Sequence, residues 1–223
     1  MGKTILTPKQ LEFLEFAGSV KQITNNFYLT GDTALAEFYL YHRLSVDIDL
    51  FIEKHEVYHP SIDAFLKKAS INLGISAIKR SQFLGLVSYE LNYKDGDKLK
   101  VDFNYYPFPR IEKGKIFNNL QIDSLNDIAA NKIHTLFMKP RTRDYIDLYF
   151  IFKKENYDLN KLILQAKAKF DWDIDKTTLA SQLLRVKDIK VEDYPEVLID
   201  FDIKKMEDFF VELSENLQKD ILK

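Results

Sequence analysis

Two aspartates stand one residue apart in the segment "SVDIDLFIE", which is otherwise apolar and reads as a β-strand. Side chains alternate along a strand, so Asp47 and Asp49 share one side. The opposite side carries the apolar residues Val46, Ile48 and Leu50. Two neighbouring carboxylates repel each other, and an unpaired buried carboxylate is costly. The segment therefore predicts that a cation reaches the aspartate side.

Oxygen ligands of this kind suit Mg²⁺ or Mn²⁺ better than zinc. The chain has no cysteine, and its four histidines show no ligand spacing. A third carboxylate, Asp102, stands alone in the strand-like segment "KLKVDFNYY", and a neighbouring strand would bring it beside the pair. We therefore expect Asp47, Asp49 and Asp102 to hold a divalent metal. The alternative is a chance pattern on an exposed strand face.

A glycine turn precedes the aspartates, between the strand "FYLT" and the predicted helix "DTALAEFYLYHR". Backbone N–H groups at such a turn can receive a phosphate, and Thr33 either caps the helix or donates its hydroxyl. Together with a metal pair one helix later, Gly31 predicts a nucleoside triphosphate site. Arg43 either binds phosphate or pairs with one of the two aspartates. Ser45 either points at the phosphates or caps the turn.

The remaining pattern predicts an α+β fold. Thr7 and Pro8 begin a helix that ends near Ser19, and a second helix covers 63–73. "GISAIKR", "FLGLVSYELNY" and "KLKVDFNYYPF" read as strands, and the turn "KDGDK" joins the last two. We expect a mixed sheet with flanking helices over 1–122, packed on a helical bundle over 123–223. Residues beyond about 157 are expected to be helical throughout.

Composition limits the classes of partner. The 34 acidic residues nearly balance the 32 basic ones, so a global positive field for nucleic acid is absent. The N-terminus lacks a signal-peptide pattern, and no apolar stretch approaches 18 residues. We expect a cytoplasmic protein without membrane contact.

Three charged residues in the predicted helices of the second half are candidate site residues. Lys132 borders an apolar helix face and either extends its stem toward water or reaches the triphosphate. Asp144 and Asp147 lie three residues apart on one helix face. They either pair with Arg141 or Arg143, or orient Lys132 or the acceptor.

At these residues the sequence resembles a known family. The pattern of strand, glycine turn, helix and Asp-x-Asp is similar to that of the polymerase-β-type nucleotidyltransferase superfamily. More closely, "LTGDTALAEFY" with "HRLSVDIDLF" resembles the AbiEii/AbiGii toxin family of nucleotidyltransferases. "DIAANKIHTLFMKPRTRDYIDLYFI" is similar to the later motifs of that family, so the resemblance covers roughly 25–153.

The resemblance implies a nucleotidyltransferase-type sheet and assigns roles to individual residues. Catalytic residues would be Asp47, Asp49, Asp102, Lys132 and Asp147. Nucleotide-binding residues would be Gly31, Asp32, Thr33, Arg43, Ser45, Lys132 and Asp144. Asp32 stands where the family usually has a second glycine; it would repel a triphosphate, cap the helix near Thr33, or itself contact a metal.

The implied activity is transfer of NMP from an NTP to an acceptor hydroxyl, with Mg²⁺ or Mn²⁺ as cofactor, an EC 2.7.7 type of reaction. The acceptor would be tRNA, another RNA or protein. The implied role is that of the toxin in a type IV toxin–antitoxin or phage-defence pair with a separately encoded antitoxin. Two rivals remain: transfer to a small molecule such as an antibiotic or metabolite, and a catalytically inactive binding module of the same fold.

Overall fold

The computed structural model describes residues 4–83 and 86–221 of the chain. Within them the chain divides into two compact units. The first, here the sheet unit, comprises the residues up to 39 together with 45–109 and 113–124. The second, here the helical unit, comprises 40–44, 110–112 and the residues from 125 onward. The short segments 40–44 and 110–112 therefore belong to the helical unit although the sheet unit flanks them in sequence.

A seven-stranded sheet, in the order β3-β4-β5-β2-β1-β7-β6, forms the centre of the sheet unit. Its strands are β1 (Tyr28–Thr30), β2 (Asp47–Ile52), β3 (Ile75–Phe83), β4 (Leu86–Tyr93), β5 (Lys98–Tyr105), β6 (Ile116–Phe117) and β7 (Leu120–Ile122). The β2–β5 and β1–β7 pairs are parallel and the others antiparallel. The expected α+β fold with a mixed sheet is confirmed.

One face of the sheet is apolar and packs on helices. These are α1 (Pro8–Ser19) and α4 (His59–Leu73); the sheet unit also contains the short helices α2 (Lys21–Thr24) and α3 (Gly31–Leu35). Phe103 of β5 is fully buried, and its ring makes edge contacts with Phe27, Phe65 and Tyr89. The covering helices thus leave the opposite face of the central strands for polar side chains.

Helix α1 begins as the sequence predicts. The Thr7 hydroxyl accepts a hydrogen bond from the Gln10 amide, and the Gln10 side-chain oxygen accepts one from the Thr7 amide. This reciprocal capping box satisfies two amides that a helix start leaves without partners. Helix α4 begins earlier than expected, at His59, and ends at Leu73; the C-cap residue that follows is Gly74, whose φ of +70° suits a glycine.

The predicted helix after Gly31 is shorter than expected. Helix α3 continues as one π-helical turn, Ala36–Leu40, and ends there instead of at Arg43, because Tyr41 adopts a left-handed backbone with φ of +53°. The following strand begins at Asp47, so Val46 lies outside it and is largely exposed. The placement of Val46 on the apolar side was therefore wrong, since strand alternation starts only after it.

The helical unit contains α5 (Leu125–Met138), α6 (Thr142–Lys154), α7 (Leu159–Phe170), α8 (Lys176–Leu184) and α9 (Ile203–Ile221). Continuous helix beyond 157 was a wrong expectation, because the stretch between α8 and α9 contains only two 3₁₀ turns. Pro195 lacks the amide that a helix needs. The chain there is instead extended, with Val197 in an antiparallel bridge to Arg43.

Candidate active site

The register of three strands brings the predicted carboxylates of the sheet unit together. Antiparallel pairing sets Asp49 of β2 opposite Thr30 of β1, and parallel pairing sets it opposite Asp102 of β5. Residues of β2 alternate between half-buried and buried, so Asp47 and Asp49 share the polar face while Ile48 lies in the core. Asp47, Asp49 and Asp102 therefore line one face of two adjacent strands, and we refer to them as the carboxylate triad.

A cation that the sequence reasoning missed contacts this triad. Lys100 lies opposite Asp47 in the β2–β5 register and two residues before Asp102. Its Nζ lies 3.2 Å from Asp47 Oδ2 and 3.0 Å from Asp102 Oδ2. The alternation "KLKVD" places Lys100 and Asp102 on the same side of one strand, which is the signal in the sequence that could have identified it.

The electrostatics of the triad show a shortage of positive charge. Burial, together with the charges of Asp32, Asp102 and Asp47, raises the pKa of Asp49 to about 7, and Lys100 offsets this only in part. Among the described residues, none lies within hydrogen-bonding reach of the buried Asp102 Oδ1. A free, inward carboxylate oxygen beside two further carboxylates is a donor set that fits a hard divalent cation.

The glycine turn lies directly against the triad. Gly31 has φ of +74°, a conformation that side-chain-bearing residues rarely adopt. A Cβ at this position would collide with Asp49 Oδ2. Only glycine allows both the backbone conformation and this close approach, so the turn and the carboxylate occupy one small region.

Asp32 is buried in the first turn of α3. The helix begins at Gly31, and its N-cap residue is Thr30, whose hydroxyl donates to Asp123 Oδ2 at 2.7 Å. The hypothesis that Asp32 caps a helix starting near Thr33 was therefore wrong, because Asp32 is already inside the helix. Its negative charge raises the pKa of Asp49, which gives it an electrostatic effect on the triad.

Thr33 and Ser45 connect the turn to the start of β2. The Thr33 hydroxyl donates to the backbone carbonyl of Asp47, and its oxygen lies 2.8 Å from Ser45 Oγ. The Ser45 carbonyl accepts from the buried Gln10 side chain at 2.8 Å. These bonds fix the backbone that carries Asp47, and Gln10 is a second contributor that sequence reasoning missed.

A second set of charges lies in the helical unit and is centred on Asp147 of α6. Arg43 donates two hydrogen bonds to it, from Nε to Oδ1 at 2.6 Å and from a terminal nitrogen to Oδ2 at 2.8 Å. Lys132 Nζ lies 2.5 Å from Oδ2, and His42 Nε2 lies 2.8 Å from Oδ1. Burial alone would raise the pKa of Asp147, but Lys132 and Arg43 hold it well below its usual range.

Asp144 extends this set, which we refer to as the buried charge cluster. Lys132 Nζ lies 2.9 Å from Asp144 Oδ1, and the Arg141 side chain contacts both carboxylate oxygens at 2.9 and 3.0 Å. Asp144 and Asp147 both contact Lys132, which one sequence interpretation expected, and Asp144 also pairs with Arg141, which the other expected. Lys132 is 5% exposed, and the carboxylates of Asp144 and Asp147 neutralise its charge.

Arg43 reaches its place through the backbone around it. The amide of Leu44 donates to the Glu196 carbonyl, and the amide of Leu198 donates to the His42 carbonyl. These bonds hold 42–44 as an extended segment of the helical unit. The structure thus gives Arg43 a carboxylate partner, Asp147, that the sequence interpretation did not name, because the pairing depends on this long-range bridge.

Similarity to a known protein family and to one related protein identifies the class of this chain. Residues 16–218 match the family described as nucleotidyl transferase AbiEii toxin, type IV TA system. The chain belongs to this family. It is a nucleotidyltransferase, and the family expected from the turn and the aspartate pair is confirmed. The Aquifex aeolicus (strain VF5) protein aq_aa25, which is described as uncharacterized, is 30% identical over 194 residues, covering 86% of this chain and 88% of its own length.

Solved structures support the fold of this AbiEii-family chain. JHP933 from Helicobacter pylori is 18% identical with a TM-score of 0.57, covering 96% of this chain and 94% of its own. A second Helicobacter pylori protein, a candidate nucleotidyltransferase by name, is 20% identical with a TM-score of 0.60, covering 96% and 97%. At such identities the likeness concerns the fold. None of the helices in the described part of the chain is long and apolar enough to span a bilayer.

Proposed function

We propose that this AbiEii-family enzyme transfers NMP from an NTP to an acceptor hydroxyl at the carboxylate triad, with Mg²⁺ or Mn²⁺ as the cofactor. The observation that carries the proposal is the triad itself: strand register aligns Asp49 with Asp102, and Asp49 has a pKa of about 7. Asp47, Asp49 and Asp102 would hold the metal. When bound, a divalent cation neutralises phosphate oxygens and stabilises the charge that develops during transfer.

The residues around the triad have separate tasks in this proposal. The Gly31–Thr33 turn receives the phosphates, since Gly31 brings backbone close to Asp49 without a side chain in between. Thr33 fixes the start of β2 through the Asp47 carbonyl. The Asp102 carboxylate would also accept the proton of the attacking hydroxyl, on the oxygen that does not bind the metal.

The bond changes in the proposed reaction balance without a further reactant. The acceptor oxygen forms a bond to the α-phosphorus of the NTP, and the bond from that phosphorus to the bridging oxygen breaks. Pyrophosphate leaves, and the hydroxyl proton passes to a carboxylate. Lys132, Asp144 and Asp147 stay predicted nucleotide-site residues; within the helical unit their contacts support a positioning role.

Family membership supports a biological role as the toxin of a type IV toxin–antitoxin pair, with a separately encoded antitoxin. An acceptor of RNA, tRNA or protein is part of this proposal. The nearly balanced formal charge means that an RNA acceptor would be recognised by a local surface and not by a global field.

A labelling experiment tests the proposal. The protein is incubated with each α-³²P-labelled NTP, Mg²⁺ or Mn²⁺, and in turn total RNA, a tRNA pool, protein extract and small hydroxyl compounds. We expect label transfer to one macromolecular acceptor, at least 100-fold weaker in Asp47→Asn and Asp49→Asn. Glu90→Gln is the matched control, because Glu90 is a carboxylate of the neighbouring strand β4 outside the triad.

Two results would contradict the proposal. NMP transfer at the wild-type rate in Asp49→Asn would show that the carboxylate triad does not take part in the reaction. Label on small compounds alone would replace the macromolecular acceptor with a metabolite or an antibiotic.

A further inference from the structure

Lys100 is placed between two members of the carboxylate triad. Its Nζ lies within 3.2 Å of an oxygen of Asp47 and of Asp102, on two different strands. One ammonium group therefore bridges β2 and β5 at the point where their carboxylates would otherwise repel. Its side chain is 45% exposed, so water is within reach of the same flexible stem.

The charge of Lys100 does not balance the site. Lys100 carries one positive charge, while the strand register places three carboxylates, Asp47, Asp49 and Asp102, on the same face of β2 and β5. Asp102 uses Oδ2 for the lysine, while its buried Oδ1 has no partner among the described residues. A divalent cation brings twice the charge and can coordinate several carboxylate oxygens directly. Lysine and metal therefore compete for the same oxygens.

We propose that Lys100 is the internal counter-ion of the metal site: its ammonium holds Asp47 and Asp102 together without metal, and a divalent cation displaces it on binding. This inference rests on the proposed function. It has two consequences. The metal-free site keeps its geometry, because the lysine reduces the repulsion between the strands. Metal affinity is lower than the triad alone would give, because the lysine must first leave.

The test compares three variants on one strand. Lys100→Met removes the charge and keeps an unbranched side chain, and Lys100→Arg keeps the charge. Lys98→Met is the matched control: Lys98 precedes Lys100 by two residues on β5 and lies 3.7 Å from Glu90. The readout is Mn²⁺ binding without nucleotide, measured by the decrease of the free-Mn²⁺ electron paramagnetic resonance signal, which does not depend on turnover.

We expect Lys100→Met to bind Mn²⁺ about tenfold more tightly than wild type, equivalent to one unit of pKa in differential interaction. Lys100→Arg and Lys98→Met should stay within about twofold of wild type, since both keep a cation beside Asp47 and Asp102. In the metal-free protein, Lys100→Met should melt ~3 °C lower than wild type. Mn²⁺ should remove this difference, because it restores the missing positive charge.

Unchanged or weaker Mn²⁺ binding in Lys100→Met, with clear binding by wild type, would contradict the counter-ion role of Lys100. The proposed function would not be affected by this result. Absence of Mn²⁺ binding in wild type and all variants would overturn both. A second measurement covers the case of a poorly folded variant. In wild-type protein labelled with ¹³C-lysine, Mg²⁺ should move the Lys100 Cε resonance and leave that of Lys98 in place; an unmoved Lys100 resonance would also overturn the proposal.

Discussion

The carboxylate triad and the buried charge cluster are balanced in opposite ways. In the helical unit, Asp147 is fully buried, yet Lys132 and Arg43 hold its pKa well below the usual range. In the sheet unit, burial raises the pKa of Asp49 to about 7, the charges of Asp32, Asp102 and Asp47 add to this rise, and Lys100 offsets it only in part. Burial by itself therefore does not determine which cluster requires an added cation. The number of positively charged side chains that contact the carboxylates determines it.

This difference separates a cluster that its own side chains neutralise from one that keeps an excess of negative charge. The buried charge cluster is neutralised by its own side chains, and removal of one member would leave an uncompensated buried charge. The carboxylate triad has three carboxylates beside the single ammonium of Lys100, and a divalent cation would neutralise the remaining negative charge.

The largest effect is expected from Lys132→Met, which would leave Asp144 and Asp147 buried with less positive charge. Loss of one partner of a buried ion pair costs about 3–5 kcal/mol. For a chain of this size the melting temperature should fall by roughly 10 °C. Differential scanning calorimetry measures it. Lys167→Met is the control, because Lys167 forms an exposed pair with Asp173 in the same unit and should change little.

A wild-type melting temperature together with weaker NTP binding in Lys132→Met would reverse this assignment. Lys132 would then contact the triphosphate, as the sequence motif suggests, and the buried charge cluster would be part of the nucleotide-binding site.

The pH dependence of stability should have opposite signs in the two clusters. Asp49 has a raised pKa, so the metal-free folded protein holds its proton more tightly than the unfolded chain does. Stability should therefore fall by about 2 kcal/mol as pH rises from 5 to 8. Asp147 has a lowered pKa, so its contribution is complete above about pH 4 and is lost as pH falls further. Urea unfolding between pH 2 and 8, in the presence of a chelator, measures both limbs.

Saturating Mg²⁺ should abolish the change in stability between pH 5 and 8. The loss of stability below about pH 4, which Asp147 causes, should remain. A flat profile in metal-free protein would mean that the triad is already neutralised.

A smaller effect is expected from Asp49→Asn in metal-free protein. The amide mimics the protonated carboxyl and removes one charge from the repelling group, so stability at pH 8 should rise by about 1–2 kcal/mol. Chemical unfolding with and without Mg²⁺ measures it, and Glu90→Gln should show no such gain. A loss of stability in Asp49→Asn would show that the carboxylate is paired in the folded state and that the two clusters are alike.

The smallest effect is expected from Arg141→Ala. Arg141 contacts Asp144 as Lys132 does, but its side chain is 49% exposed, so water screens the pair. Stability should fall by less than about 1 kcal/mol. A loss of stability as large as that of Lys132→Met would show that burial does not determine how much each cation contributes to the stability of the cluster.

The sequence predicts the local parts of this account better than the long-range ones. Strand alternation places Asp47 and Asp49 on one side, and the isolated Asp102 in a second strand pattern identifies the third carboxylate. The position of Lys100 beside Asp47 depends on the β2–β5 register, which no local pattern specifies.

The same limit explains what was missed in the helical unit. Arg43 was expected to bind phosphate or to pair within its own motif. Its partner Asp147 is 104 residues away and is reached because Tyr41 ends the preceding helix and Val197 pairs with the segment that follows. Neither the left-handed Tyr41 nor the extended chain around Pro195 is specified by hydrophobic periodicity.

We infer that the carboxylate triad, and not the buried charge cluster, takes up the divalent cation. The most direct measurement is a Mn²⁺ titration of wild type, Asp49→Asn, Arg141→Ala and Glu90→Gln, followed by electron paramagnetic resonance. The account predicts that Asp49→Asn loses Mn²⁺ binding, while the other two variants bind as wild type does. Mn²⁺ binding that survives in Asp49→Asn would contradict it, as would tighter Mn²⁺ binding in Arg141→Ala, because a cation removed from Asp144 would then free the site that holds the ion.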